Sequence, residues 1–263
     1  MSKERIKSIS MIFYWFSKLY VPYFSTRQAA LTLTILTTLS ASGQNLDYTD
    51  VKSNPLLNQA NQLRFQNPDS ARVLYLMAIK ESKAKGDSSQ AIQGLINLSF
   101  HYSQNANFLP AYDGYWEALS MADNTNDSLA IAQVYEGLGW LYSLFSRLET
   151  GKSYFEQSVN VGKQLVERGE LEKSSLLNAY YGLAVMHRNA YKNDLARHYI
   201  DTCNMVRQPT EAVGKAFTNI ELAFVLGNEG KYQESLDLIN MYRGFFEEKQ
   251  PSYLVIIDSF LGG

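Results

Sequence analysis

The chain of 263 residues is predicted to fold as an all-α solenoid of stacked helix-turn-helix hairpins. Three observations predict this fold class. Large, small and aromatic residues recur at the same offsets with a period near forty residues. Turn-forming residues separate the recurring segments, and no segment shows the sustained alternation of apolar and polar residues that indicates a half-buried strand. The apolar content of 46% is sufficient for a substantial core.

The N-terminal segment, residues 1–43, has the composition of a secretory signal peptide. Five basic residues and one acidic residue precede an apolar run of thirteen residues, which ends in small residues. Thirteen residues are too few to cross a bilayer, since a helical span needs about 20. We therefore predict a cleaved signal peptide with a long basic and aromatic leading region, followed by a linker over 44–52 and an exported, periplasmic protein.

An aromatic stretch at 11–24 lies upstream of the apolar run and leaves two alternatives open. Lys18 and Pro22 interrupt it, so it is a poor membrane span. In one alternative the segment is not cleaved and tethers the chain to the inner membrane. In the other, the true start of the protein lies downstream of the aromatic stretch.

The balance of charges disfavours nucleic acid as a partner. The whole chain has 24 basic and 26 acidic residues, a formal net charge of -2. Without residues 1–43, nineteen basic and twenty-five acidic residues remain, so the mature chain would carry about -6. The single cysteine, Cys203, excludes a disulfide-stapled scaffold and agrees with export.

Four leucines mark the repeat: Leu98, Leu138, Leu183 and Leu222, spaced by 40, 45 and 39 residues. A small residue follows each leucine, and an aromatic or large residue stands four positions after it. Further small, large and small residues follow at offsets of 13, 17 and 20, as in Ala111, Tyr115 and Ala118. These spacings place the side chains on one face of a helix, where small residues allow two helices to approach closely.

Turn signals divide the repeat region, 53–263, into hairpins. Asn67-Pro68-Asp69 has the capping residue and proline of a helix start, and Gly86-Asp87, Asn126-Asp127, Gln208-Pro209 and Gly230 mark other junctions. The predicted hairpins are 53–86, 87–124, 127–168, 170–207 and 209–249, with an incomplete sixth at 250–263. Because the sixth lacks its second helix, we expect its apolar face to be exposed, namely Tyr253, Leu254, Ile256, Ile257, Phe260 and Leu261.

The pattern resembles the tetratricopeptide repeat (TPR), most clearly in the segments 137–158 and 98–119. The repeat length of about forty residues exceeds the usual 34 residues of the TPR. Exported TPR sensory regions of bacterial signalling proteins have repeats of similar length. Three positions depart from the pattern: Tyr242 replaces a small residue, His187 an aromatic one and Gly151 an alanine. The resemblance implies a right-handed superhelical solenoid that binds a protein or peptide in a groove.

The resemblance also implies which residues line that groove, because the first helix of each hairpin does so in the family. Carried over position by position, the expected groove residues are Gln93, Phe100, Gln104, Gln133, Glu136, Trp140, Asn178, Tyr181, Arg188, Asn189, Phe217, Phe224 and Asn228. Amides can pair with an extended peptide backbone, and aromatic side chains supply anchoring area. Arg188 with Asn189 could hold a carboxylate. For each aromatic residue the alternative is packing against the next repeat.

No motif for catalysis, metal binding or a cofactor occurs in the sequence. The three histidines, His101, His187 and His198, belong to no metal-binding motif, and Cys203 occupies a small-residue offset. We therefore expect a non-catalytic protein- or peptide-binding scaffold or sensory domain in the bacterial envelope. The alternative is the periplasmic input region of a longer signalling protein, either a sensor histidine kinase or a transcriptional regulator.

Overall fold

The computed structural model describes residues 54–249 and 253–261, which are helical apart from short connections. The predicted signal peptide and linker lie outside the described residues. The helices are α1 (Pro55–Leu63), α2 (Pro68–Ala84), α3 (Ser88–Gln104), α4 (Phe108–Thr125), α5 (Ser128–Leu144), α6 (Leu148–Glu167), α7 (Leu177–Asn189), α8 (Asn193–Val206), α9 (Ala212–Asn228), α10 (Tyr232–Lys249) and α11 (Leu254–Leu261).

Successive helices pack against each other along the chain, and this confirms the all-α solenoid. Each range expected to form a hairpin holds two of the helices, and α4 extends one residue beyond its range, to Thr125. We call the odd-numbered helices the first helices and the even-numbered ones the second helices. None of α1–α11 combines the length and the apolar character that a membrane-spanning helix requires.

The recurring small and large residues form the contacts between the helices. Ala111, Tyr115 and Ala118 of α4 are all buried, as are Leu98 and Leu138 on the first helices that flank it. Side chains this small let helix axes approach closely, and the neighbouring rings and leucines fill the remaining space.

Helix α2 starts at the capping residue that the sequence predicts, and α3 starts directly after the predicted junction Gly86-Asp87. The side chain of Asn67 accepts a hydrogen bond of 3.1 Å from the backbone N–H of Ser70, and Pro68 is the first helical residue of α2. Asp87 caps α3 in the same way, by accepting from Gln90. These caps satisfy N–H groups that have no partner within the helix.

The four hairpins with a leucine marker turn at the same offset from that leucine. The residue eight positions after it, Ala106, Ser146, Tyr191 or Gly230, has a positive φ of 57°, 55°, 57° or 78°. The next backbone N–H then donates to the carbonyl five residues earlier, for example Asn107 to Tyr102 at 2.8 Å. This bond closes the C-terminus of each first helix.

The step of 45 residues between Leu138 and Leu183 has a local cause. Helix α6 is 20 residues long, and a short 3-10 helix, Lys173–Leu176, precedes α7. The added length therefore lies in one second helix and the connection that follows it.

Helix α11 is more buried than the sequence predicts. Tyr253, Ile256 and Ile257 are buried, so the expectation that they are exposed is wrong. The reason is that α11 packs against the preceding hairpin as a further first helix, with the ring of Phe260 4.6 Å from that of Phe224. Leu261 alone remains largely exposed, at 44%.

Candidate functional site

The residues expected to line a groove lie on α3, α5, α7 and α9, and these first helices contact one another from hairpin to hairpin. We call this side of the solenoid the inner face. The N-terminal half of the inner face, on α3, and the C-terminal half, on α5, α7 and α9, differ in how accessible their aromatic side chains are.

In the C-terminal half the aromatic residues form a buried spine between hairpins. The Trp140 ring lies 4.9 Å from Phe155 and 6.1 Å from Tyr181, measured between centroids. Tyr181 lies 6.2 Å from Phe217, and Phe217 lies 4.8 Å from Tyr253. The expectation that Trp140 faces an open groove is wrong, because only 2% of it is exposed.

Burial also corrects the assignment of the other aromatic residues in this half. Tyr181, Phe217 and Phe224 are each buried, so none presents a free ring surface to a ligand. The alternative that the sequence left open, packing against the next repeat, holds for these residues. Aromatic pairs at these distances contribute about 0.5–1.5 kcal/mol beyond the area they bury, so the spine stabilises the stack.

Arg188 is engaged within the solenoid, which corrects its assignment as a carboxylate-binding residue. Its guanidinium donates to both carboxylate oxygens of Glu221 on α9, with Nε 2.7 Å from Oε1 and a second nitrogen 3.2 Å from Oε2. Another nitrogen donates to Asn189 at 2.5 Å. Asn228 donates to the Arg188 carbonyl at 3.3 Å. Burial lowers the pKa of Arg188, but the carboxylate of Glu221 outweighs this effect and raises it.

Glu136 and Asn178 link α5 to α7 through a hydrogen bond in which the Asn178 amide donates to the Glu136 carboxylate. Burial raises the pKa of the Glu136 carboxyl to about 7, and the amide of Asn178 acts in the opposite direction. Gln133, one turn earlier on α5, is buried, and Glu136 is half-buried. These residues join helices, and the Glu136 carboxyl is the one titratable group among them.

The N-terminal half keeps an aromatic ring accessible, that of Phe100. Gln93, Phe100 and Gln104 on α3 are half-buried, and Gln93 donates to Asn97 at 3.0 Å. The guanidinium carbon of Arg64, which follows α1, lies 5.5 Å from the centroid of the Phe100 ring and 4.7 Å from that of Phe65. Cations at such distances are attracted to the face of an aromatic ring.

Three residues of the inner face were not predicted from the sequence: Arg64, Asn97 and Glu221. Arg64 stands forty residues before Gln104, at the same offset in the first hairpin, where Asn58 replaces the marker leucine. Asn97 and Glu221 both directly precede a marker leucine. The offset of Gln104, applied to the first hairpin, identifies Arg64. The position directly before each marker leucine identifies Asn97 and Glu221.

His187 and Cys203 have packing roles in this structure. His187 stacks on Tyr199 with ring centroids 5.3 Å apart, in the slot that an aromatic residue fills in other repeats. Cys203 is buried, and burial raises the pKa of its thiol. Within 54–249 and 253–261, no three histidine, cysteine or acidic side chains are placed to hold a metal ion.

Comparison with known proteins supports the fold. A kinesin light chain-like protein of Podospora anserina with nearly identical TPR-like repeats has a TM-score of 0.53 and 16% identity, over 74% of this chain and 95% of that one. BtubC (BKLC) of P. vanneervenii has a TM-score of 0.59 and 16% identity, over 86% and 95%. No family model and no curated protein matches the sequence. The TPR-like repeat fold that the motifs implied is confirmed, and the chain has the architecture of a repeat scaffold.

Proposed function

We propose that the chain is a non-catalytic scaffold that binds an extended protein or peptide segment across the N-terminal half of the inner face. The observation that carries the proposal is the environment of Phe100. Its ring is half-buried and accessible beside Arg64, whereas Trp140 and Phe224, the aromatic residues at the same offset in later hairpins, are buried.

The chemistry of this surface suits an extended segment of chain. Phe100 offers a partly desolvated ring as an anchor for an apolar side chain. The amides of Gln93, Asn97 and Gln104 supply both donors and acceptors, which can pair with a peptide backbone. The guanidinium of Arg64 favours a carboxylate or carbonyl oxygen near the anchored side chain.

The proposal includes a location in the bacterial envelope, which the N-terminal segment 1–43 supports through its signal-like composition. The use of the bound segment as a signal, in a longer sensor kinase or regulator, is the alternative form of the same proposal. Fractionation of cells and sequencing of the mature N-terminus test the location. A mature chain starting near residue 44 is expected, and an unprocessed chain in the cytoplasm would contradict it.

Site-specific photo-crosslinking in cells tests the binding surface itself. A benzophenone amino acid replaces Phe100 in one variant and the exposed Met205 of α8 in a matched control. We expect a discrete crosslinked product from the first position and none from the second, with its formation reduced by the additional change Arg64→Ala. Equal crosslinking at both positions, or none at Phe100, would contradict the proposal.

A further inference from the structure

The outer surface of α2 exposes three apolar side chains on one face. Val73, Leu76 and Met77 are 49%, 45% and 51% exposed. Together with the exposed Lys80 they stand at i, i+3, i+4 and i+7, so they form a single stripe along the helix. We call these four residues the α2 stripe. Lys80 forms no ion pair within residues 54–249 and 253–261.

The corresponding positions of the other second helices are mostly polar, which sets the α2 stripe apart. Counted from the first small residue of each helix, they are Asp113, Trp116 and Glu117 in α4, Ser153, Glu156 and Gln157 in α6, His198, Asp201 and Thr202 in α8, and Asp237, Asn240 and Met241 in α10. Trp116 is half-buried beside Tyr112. Only Met241 matches the α2 stripe in being both apolar and exposed.

Charge sets the first hairpin apart as well. Residues 54–86 carry five basic and two acidic side chains, whereas residues 87–263 carry thirteen basic and twenty-one acidic ones. The apolar stripe therefore lies on the most strongly net-positive hairpin, at +3, whereas residues 87–263 together carry -8. The basic side chains of this hairpin attract an anionic partner, and the acidic residues 87–263 repel an anionic partner.

We propose that the α2 stripe docks the solenoid on the surface of a bilayer that contains anionic lipids. Apolar side chains projecting from the outside of a helix enter the boundary between headgroups and acyl chains, and Lys80 beside them pairs with a lipid phosphate. Lys83 and Lys85 already pair with Glu117 and Glu81. The stripe lies on the outward side of a second helix and away from the inner face, so it fits a flat surface better than an extended peptide. This docking is separate from the binding proposed for the inner face.

A fluorescent probe at a single thiol tests the contact. Because Cys203 is buried, a reagent labels only a thiol introduced at the surface. The full chain carrying Met77→Cys, labelled with the environment-sensitive dye NBD, is mixed with vesicles of phosphatidylglycerol and phosphatidylcholine. The matched control is Met241→Cys, at the same offset in α10. The position of the label reports local contact even where another part of the chain also binds the vesicle.

We expect a blue-shifted, brighter NBD signal at position 77 on the anionic vesicles, a weaker one on pure phosphatidylcholine and none at position 241. Lys80→Ala should weaken vesicle binding about fivefold, from the interaction of one lysine with an anionic surface, and Lys163→Ala on α6 should leave it unchanged. Equal signals at both positions, or no effect of Lys80→Ala, would overturn the proposal. A response at position 77 to an acidic protein alone would also overturn it and assign the stripe to protein docking.

Discussion

Arg188 of α7 and Glu221 of α9 form an ion pair in the interior of the solenoid, with Nε 2.7 Å from Oε1. The Glu221 side chain is 0% exposed, and that of Arg188 is 11% exposed. The pair joins two first helices of neighbouring hairpins at positions where a binding groove was expected. Residues that would hold a ligand in an open groove here hold the repeats together.

Removing one partner of this ion pair should be costly. Arg188→Met leaves a buried carboxylate without its cation, and breaking a buried pair in this way costs about 3–5 kcal/mol. The control is Lys85→Met, which breaks the exposed pair with Glu81 and should cost below about 1 kcal/mol. Urea unfolding of both variants measures the difference. Similar losses in the two variants would contradict the role of the buried pair.

The stability of the fold should fall as pH rises toward neutrality because of Glu136. Its pKa rises from 4.5 in its ordinary state to about 7 in the fold, so the folded state binds a proton that the unfolded state releases between these values. The stabilisation is complete below about pH 4.5 and lost above pH 7, and amounts to at most about 3 kcal/mol. Tyr115 and Asn178 face the same carboxyl and do not change charge in this range.

Glu136→Gln tests this pH dependence by imitating the protonated side chain. The variant should be more stable than the natural chain at pH 8, equally stable near pH 4.5, and less dependent on pH in between. The exposed residue Glu156 supplies the control variant, Glu156→Gln. Unfolding free energies measured between pH 4.5 and 8 decide the matter, and parallel profiles for all three chains would refute the assignment.

Two glycines in helices should respond in opposite ways to alanine. A β-carbon at Gly182 of α7 would overlap the ring of Phe155, whereas one at Gly244 of α10 would meet nothing within 4 Å. Gly182→Ala should therefore destabilise the fold through overpacking, by about 1–3 kcal/mol. Gly244→Ala should stabilise it by about 0.5–1 kcal/mol because alanine favours the helix. Thermal unfolding distinguishes the two, and changes of the same sign would count against the described packing.

Ala118 tests the close approach of helices that the repeat offsets predict. Ala118 is 0% exposed, so Ala118→Leu should overpack the contact and cost about 1–3 kcal/mol. Ala84 at the end of α2 is exposed, and Ala84→Leu should change stability by less than about 0.5 kcal/mol. An unchanged melting temperature for Ala118→Leu would mean that α4 does not pack through this residue.

The helices could be predicted from the sequence because the signals are local. The caps at Asn67 and Asp87, and the burial of Ala111 and Tyr115, follow from residue type and offset alone. The helix-ending turns at Ser146 and Tyr191 were not predicted, because neither residue is the glycine that a left-handed backbone favours. Their common offset from the marker leucines was the signal that could have revealed them.

The accessibility of the inner face could not be predicted from the sequence, because it depends on contacts between hairpins. The same offset holds Phe100 on α3, which is half-buried, and Phe224 on α9, which Phe260 of α11 covers. Likewise, the sequence shows that Arg188 can bind a carboxylate. Only the structure shows that its guanidinium already binds the carboxylate of Glu221. Offsets identify the helix face, and the stacking of neighbouring hairpins determines which residues on it stay open.

Acrylamide quenching of Trp140 fluorescence tests most directly whether the C-terminal half of the inner face is a buried spine. The chain contains three tryptophans, so Trp15→Phe with Trp116→Phe leaves Trp140 as the only one, and circular dichroism verifies the fold. Because Trp140 is buried, we expect acrylamide to quench its fluorescence barely in the folded chain and fully in urea. Quenching in the folded chain equal to that in urea would place Trp140 in an open groove and contradict the buried spine.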